Sequence, residues 1–396
     1  MKRHLSLVFL FGVSLLYGQT LTSVKPQEAG FDAQRLSALD QIIEEAITKG
    51  TIPGAVLLIS RDNAVVYRKA YGYRQLVPQK EPMSVNTVFD LASITKPVAT
   101  AAAAMILIDH GQLRLLDRVV DYIPDFAPWQ DESDQSFKQI QVIHLLTHTS
   151  GLPPYAPVNE LKQRFGSPAP DSLIRHIATV KRHHAPGTGF IYSCLNFITL
   201  QRIIETISGQ SLKDFCAHNI FEPLGMINTT FSPGREGVTD CAATEYLEQK
   251  DLLIGMVHDP LARVMMGGVS GNAGLFSTAD DLARFAAMML NNGIFNQQRI
   301  LSPAAVKAMT RVPQDYEAFG RSLGWDIYSD YSSNMGDLFS ETAYGHTGYT
   351  GTSLVIDPES RTAVILLTNR VHPEDKGSVV RLRSLIANVV AGAMIK

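Results

Sequence analysis

Apolar and polar positions along this chain repeat with two different periods. From Phe31 to Lys49 the apolar residues Leu36, Leu39, Ile42, Ile43 and Ala46 follow the three-to-four spacing of one helix face, and Gly50 then stops the run. "AVLLIS" (Ala55 to Ser60) and "AVVYRKAYGYR" (Ala64 to Arg74) flank the turn-like "RDN", which predicts a β-hairpin. Near the other end "TSLVID" (Thr352 to Asp357) and "TAVILLTN" (Thr362 to Asn369) repeat that arrangement around "PESR". A last apolar-periodic segment, Val379 to Met394, predicts a helix.

Between these ends, from about residue 97 to 310, the pattern is mostly helical and is broken by Pro- and Gly-rich loops such as "GLPPYAP" and "HHAPGTG". The chain therefore predicts an α/β (α+β) fold. An antiparallel sheet is built by joining the N- and C-terminal segments, about 30–96 and 311–396, and a mainly helical region is inserted between them. No internal repeat or low-complexity segment interrupts it.

At 396 residues and 45% hydrophobic content the chain can bury a large core. A formal net charge of -3, with no long run of Lys or Arg, excludes the electrostatic footprint of nucleic-acid binding. The N-terminus reads Met1-Lys2-Arg3-His4, an apolar core from Leu5 to Tyr17, then Gly18-Gln19, the layout of a secretory signal peptide. Residues 1–18 are expected to be removed and 19–396 to form one exported domain, periplasmic or extracellular, with no stable membrane span. Cys194, Cys216 and Cys241 make an odd number, so at most one pair can form and no disulfide framework is implied. Their spacing does not resemble a zinc site.

In "FDLASITKPVATAAAAMILIDHG" (Phe89 to Gly111) Ser93 and Lys96 are three apart where an apolar helix begins. A Ser-x-x-Lys match is expected about once by chance in a chain of this size. Its context adds to it. Ser93 precedes a run of strong helix formers, which makes it an expected N-terminal residue of a helix, and Pro97 is tolerated in a first turn whose N–H groups are free anyway. On a helix, positions i and i+3 share a face, so Lys96 can fold back toward the Ser93 hydroxyl. The helix field and burial are expected to lower the Lys96 pKa. The competing reading is a cap beside a solvated lysine.

Two more segments decide between them. "GFIYSCLNF" (Gly189 to Phe197) places Tyr192 just before an apolar helix, and "YGHTGYTGTSLVIDP" (Tyr344 to Pro358) feeds a Gly-rich turn into a strand. The order Ser-x-x-Lys, Tyr-Ser-x, His-Thr-Gly resembles the serine β-lactamase and penicillin-binding protein superfamily. The resemblance is to its class C-like branch of D-Ala-D-Ala carboxypeptidases, β-lactamase-like esterases and cell-wall amidases. "LLTHTSGL" (Leu145 to Leu152) and "GGVSGNAGLFSTADDLARF" (Gly267 to Phe285) are similar to segments of the same branch, so the resemblance covers about residues 30 to 390.

The resemblance implies Ser93 as the nucleophile of an acyl-enzyme, Lys96 as the group that takes or relays its proton, and Tyr192 as a second base whose phenolate Lys96 stabilises. It implies an oxyanion hole from the backbone N–H groups of Ser93 and Tyr349, with Cys194, His346, Thr347 and Gly348 around the substrate. It implies no metal or organic cofactor. Two positions depart from the pattern. Cys194 stands where an Asn is usual, with Asn196 two residues further on, and His346 replaces a frequent Lys, exchanging a fixed charge for an imidazole expected to titrate near neutrality.

Other residues have plainer readings. His144 and His148 are four apart, but "HLLTH" lacks the Glu of a zinc protease, and a structural hydrogen-bonding role is expected instead. His183-His184 reads as a solvated loop pair. No Gly-x-Ser-x-Gly elbow supports the ordinary α/β-hydrolase fold. The expectation is an exported serine hydrolase acting on a peptide or amide bond of cell-wall-derived material, its partners being small-molecule or peptide substrates such as peptidoglycan fragments. A carboxylesterase, then a β-lactamase, are the alternatives within the superfamily. A non-catalytic binding protein on the same fold is the alternative outside it.

Overall fold

In the computed structural model, described over residues 21–247, 251–329 and 334–395, the two ends of the chain meet in one sheet. The expected signal peptide lies outside the described residues. In chain order the strands are β1 (Thr22–Ser23), β2 (Gly54–Arg61), β3 (Ala64–Gln75), β4 (Asp326–Ile327), β5 (Tyr344–Thr347), β6 (Ser353–Asp357) and β7 (Thr362–Thr368). They lie in the order β1-β3-β2-β7-β6-β5-β4, and a short strand, Glu81–Pro82, pairs beside β3. The joint between the ends is the antiparallel pair β2–β7, with Ala55 opposite Thr368 and Arg61 opposite Thr362. The edge pair β1–β3 is parallel and the other pairs are antiparallel.

β2 is buried along nearly its whole length, which is why its sequence is continuously apolar rather than alternating. Successive side chains point to opposite faces. Ala55, Leu57 and Ile59 pack with α1 (Ala38–Thr48) and the C-terminal helix Val380–Gly392, while Val56 and Leu58 face the core that holds α2 (Ala102–Asp109), α3 (Cys194–Ser208) and α4 (Ala279–Leu290). The C-terminal helix, Val380–Gly392, is α5. Leu39, Ile43 and Ala46 form the buried stripe of α1, at the predicted spacing. The expected first helix is split: Asp32 caps a short turn, Ala33–Leu36, through the N–H groups of Gln34 and Arg35, and α1 starts after Ser37. The β2–β3 turn places Asp62 and Asn63 at positive φ, 48° and 64°, the conformation that a tight hairpin favours and these residues tolerate.

Ser93 is not the first residue of an α-helix. It sits inside a 3₁₀ turn, Ala92–Ile94; a π-helical turn, Lys96–Ala101, follows, and only then α2 begins. Pro97 has no N–H to give to the Ser93 carbonyl, so an α-turn cannot close there. The core then buries Lys96 through Leu107.

Candidate active site

Strand Phe89–Asp90 pairs antiparallel with Leu275–Ser277, which carries the "GNAG" loop up to the Ser93 turn. Asp90 is buried, and its carboxylate accepts the Ala92 N–H at 2.8 Å and the His258 N–H at 2.7 Å. The first of these bonds holds Ala92 at φ 46°, a left-handed conformation that alanine rarely adopts and that turns Ser93 into the cavity.

Lys96 is fully buried, and its Nζ donates to Ser93 Oγ at 2.9 Å and to the Asn272 carbonyl at 2.9 Å. It lies 3.7 Å from Cys194 Sγ and 4.9 Å from the centre of the Tyr192 ring. The Tyr192 hydroxyl hydrogen-bonds with Ser93 and Lys96. The structure thus brings together the serine, lysine and tyrosine that the sequence picked out, and it excludes the cap-and-solvated-lysine reading.

Their resting protonation differs from expectation. Burial works to lower Lys96, but the negative charge that Cys194 and Tyr192 take on as they ionise, together with the hydrogen bond to Tyr192, outweighs that effect, and its pKa is raised. Burial raises Tyr192 by more than the neighbouring Lys96 lowers it. The pair therefore rests as ammonium and neutral phenol, and the expected low-pKa lysine and stabilised phenolate are both corrected. Cys194 is a neutral thiol, its pKa raised by burial, whose sulfur accepts from Lys96 Nζ at 3.7 Å.

The segment around Tyr192 is fastened to "LLTHTSGL". His148 Nδ1 accepts from the Ser193 N–H at 3.1 Å and from Asn196 Nδ2 at 3.2 Å, and Ser150 Oγ donates to Asn196 Oδ1 at 2.5 Å. Asn196 is thus occupied in this scaffold and does not replace the carboxamide missing at Cys194. His144 Nδ1 accepts from the Gln141 N–H at 2.9 Å, so both histidines of "HLLTH" hold backbone or side-chain partners as expected. His183 is exposed, but His184 is half-buried, with Nδ1 donating to the Ala185 carbonyl at 2.8 Å, which corrects the reading of a solvated pair.

β5 brings in His346 and Thr347. His346 is 2% exposed, and its Nδ1 donates to the Thr347 carbonyl at 2.8 Å. Burial pushes its pKa down to about 4; nearby Asp326 opposes this, while Arg321 and Lys96 reinforce it. His346 is neutral at physiological pH, contrary to the expected titration near neutrality. After β5 the turn folds back on itself, Gly348 N–H to Thr352 carbonyl at 2.8 Å. Thr350 Oγ1 and Thr352 Oγ1 then donate to the carbonyls of Asp90 (2.7 Å) and Leu91 (3.1 Å), immediately ahead of Ser93. Gly348 is obligatory at this approach, since a Cβ would lie 2.1 Å from Thr352 Oγ1 and 2.4 Å from the Leu91 carbonyl.

Ser93, Tyr192, His346, Tyr349, Arg370 and Arg383 line one cavity of about 420 Å³, with Thr347 and Gly348 in the same wall. The volume suits a small molecule or the end of a peptide. The Tyr349 ring is largely exposed, stacked on His258 with centroids 5.8 Å apart, and its hydroxyl donates to Asp375 at 2.6 Å. Among the described residues no cluster of three or more His, Cys, Asp or Glu side chains is placed to hold a metal ion. Cys216 and Cys241 are buried free thiols, as Cys194 is free. The sequence reading missed Asp90, Asn272, Thr350, Thr352 and Arg383. Their one legible signal is position: each lies within a few residues of a recognised motif or, for Arg383, on the predicted last helix.

The family model described as Beta-lactamase matches residues 39–388. The chain belongs to that family. A protein of Escherichia coli (strain K12) named "Putative D-alanyl-D-alanine carboxypeptidase" is 33% identical over 400 residues, covering 94% of this chain and 92% of that protein. One of the same name from Salmonella agona (strain SL483) is 34% identical over 376 residues, covering 89% and 86%. Among solved structures, EstCE1, described as a hydrolase with promiscuous acyltransferase activity, superposes with a TM-score of 0.73 at 26% identity, covering 91% of this chain and 99% of that one. The octameric penicillin-binding protein homologue from Pyrococcus abyssi follows with 0.69 at 25% identity, covering 90% and 77%. This member of the beta-lactamase family is a serine hydrolase with the β-lactamase/transpeptidase fold, and the predicted α/β architecture agrees with it.

Proposed function

We propose that the chain hydrolyses a peptide or amide bond of cell-wall-derived material through an acyl-enzyme on Ser93. The observation that carries this reading is the buried Lys96, its Nζ shared between Ser93 Oγ and the Asn272 carbonyl and within reach of Tyr192. Ser93 Oγ attacks the carbonyl carbon, and its proton passes to the Lys96–Tyr192 pair once that pair has a vacant site. The backbone N–H groups of Ser93 and Tyr349 hold the oxyanion. Collapse of the tetrahedral intermediate breaks the C–N bond, and the pair returns the proton to the leaving amine. Water, deprotonated by the same pair, then cleaves the Ser93 ester and restores the hydroxyl. Every step is a proton or acyl transfer among residues of this chain, its substrate and water.

The names of the relatives support a D-alanyl-D-alanine carboxypeptidase as the particular activity. The signal-like residues 1–18 support an exported enzyme, where such substrates lie. Neutral His346 favours a second reading, a carboxylesterase, because it offers no fixed charge to a substrate carboxylate. A hydrolysis panel of D-Ala-D-Ala peptides, muropeptides, small esters and nitrocefin separates them. Release of D-alanine at the highest kcat/KM supports the peptidase, and turnover of esters alone replaces it with the esterase.

A further inference from the structure

Arg383 projects from α5 to the turn after His346, far in sequence from every motif. It is 8% exposed, and its Nη2 donates to the Gly348 carbonyl at 2.8 Å and to the Thr352 carbonyl at 2.9 Å. The Gly348 carbonyl and the Tyr349 N–H belong to one planar trans peptide and point in opposite directions. A guanidinium that grips the carbonyl on one side therefore aims the N–H to the other. The next peptide is gripped as well: Arg370 donates through Nη2 and Nε to the Tyr349 carbonyl at 2.7 and 3.2 Å. Arg370 is itself held by Asp375 at 2.7 Å and by the Gly377 carbonyl at 3.2 Å. On the opposite side Thr350 and Thr352 tie the turn to the carbonyls of Asp90 and Leu91. The Tyr349 peptide is thus fixed from α5, from the segment after β7 and from the strand that leads into Ser93.

We infer that Arg383 is a positioning residue for catalysis: by holding the Gly348 carbonyl it aims the Tyr349 N–H at the oxyanion, with Arg370 as its second brace. This inference rests on the acyl-enzyme reading above. An arginine suits the task because one guanidinium nitrogen can donate two hydrogen bonds in a fixed plane, which a lysine on a flexible stem cannot reproduce. A hydrogen-bond donor misaimed by a few tenths of an ångström matters in the transition state, where charge develops, and much less in the ground state.

The competing role for Arg383 is a direct anchor for a substrate carboxylate, since it lines the same cavity as Ser93. Kinetics distinguish them. Arg383→Met and Arg383→Lys are compared with the parent on a neutral ester and on a peptide ending in a free carboxylate, with melting curves for each protein. The clamp predicts that kcat falls on both substrates by about 10- to 100-fold in Arg383→Met, less than the full loss of an oxyanion donor, while KM stays within about twofold. Added methylguanidinium restores part of the rate in Arg383→Met. Should that variant not fold, Arg383→Lys, which keeps the charge, shows the same kcat-dominated loss to a smaller degree. A rise in KM confined to the carboxylate substrate, or a parental kcat on both, overturns the clamp. A fluorophosphonate keeps the two levels apart. A parent that is not labelled at Ser93 defeats the acyl-enzyme reading, whereas a labelled parent with Arg383→Met labelled at the same rate defeats only the clamp.

Discussion

Lys96 shares its ammonium hydrogens with Ser93 Oγ and the Asn272 carbonyl, and Tyr192 beside it keeps its phenolic proton. Both pKa values are raised, so at neutral pH nearly every molecule has the pair fully protonated, with no place for the serine proton. Raising the pH removes one proton from the pair, and kcat/KM on a neutral ester is expected to climb from pH 6 to pH 9. A profile flat over that range contradicts the resting state derived for the pair. His346 behaves oppositely to its sequence-based expectation. With a pKa of about 4 it is uncharged from pH 5.5 to 8, so KM for an acidic substrate is expected to show no His346 titration there, with any gain confined to lower pH. A KM that rises through pH 6–7 in the parent and not in His346→Lys shows instead that the ring is protonated near neutrality. The identities of Ser93, Lys96 and Tyr192 were legible because three short motifs occur in order. Their protonation was not, because it depends on desolvation by residues such as Phe197, 5.8 Å from Lys96 Nζ and a hundred positions away.

The elements divide in the same manner. β2, β3, β6 and β7 were legible because a strand shows its period of two, or an unbroken apolar run, within a few residues. The break from 3₁₀ to π to α across Ala92–Ala102 was not, since runs of three and six residues are too short to tell the three helix periods apart. Nor was the pairing of Phe89–Asp90 with Leu275–Ser277, two very short strands distant in sequence. That pairing sets the Ser93 turn against the Asn272 loop, and the Gly348–Thr352 turn closes the site from the other side. Gly348→Ala places a methyl group against Thr352 Oγ1 and the Leu91 carbonyl, both under 3 Å away, and forces the turn off the strand. Activity is expected to fall by about 10²-fold or more, the scale of a lost oxyanion donor. Gly50→Ala is the control: its φ of 69° costs about 1 kcal/mol of stability, but nothing lies within 4 Å and kcat is expected to be unchanged. Equal kcat in the parent and Gly348→Ala contradicts the role given to the turn.

For the whole molecule, the decisive feature is that a sheet made from both chain ends is covered on each face, one by α1 and α5 and the other by the helical middle that supplies Lys96, Tyr192 and His148. The covering buries histidines. His144 and His346 are each pushed down to about 4 by burial, from an ordinary value of 6.5 when unfolded. Between those values the unfolded chain binds more protons than the folded one, so stability is full above about pH 6.5 and is lost as pH falls toward 4. At pH 5 each group costs about 2 kcal/mol by this linkage. Tm is expected to drop between pH 7 and pH 5, and His346→Gln to drop less. Asp281, its carboxyl pushed up to about 6 by burial, works in the opposite direction over that span, so the comparison is with His346→Gln: a Tm drop in that variant as large as the parent's contradicts the buried neutral His346. The joining of the ends was readable from two hairpin patterns at opposite termini, whereas which face each helix covers depended on contacts that no local pattern encodes.

The central claim is that Ser93 is the acylated nucleophile, and the most direct test is the mass of the protein after reaction with a fluorophosphonate, followed by peptide mapping. One adduct per chain is expected, on the peptide containing Ser93, with none on Ser93→Ala and slower formation on Lys96→Ala, whose lost proton transfer is worth about 10²–10⁴-fold. An adduct on another residue, or one that forms equally fast on Ser93→Ala, contradicts the account.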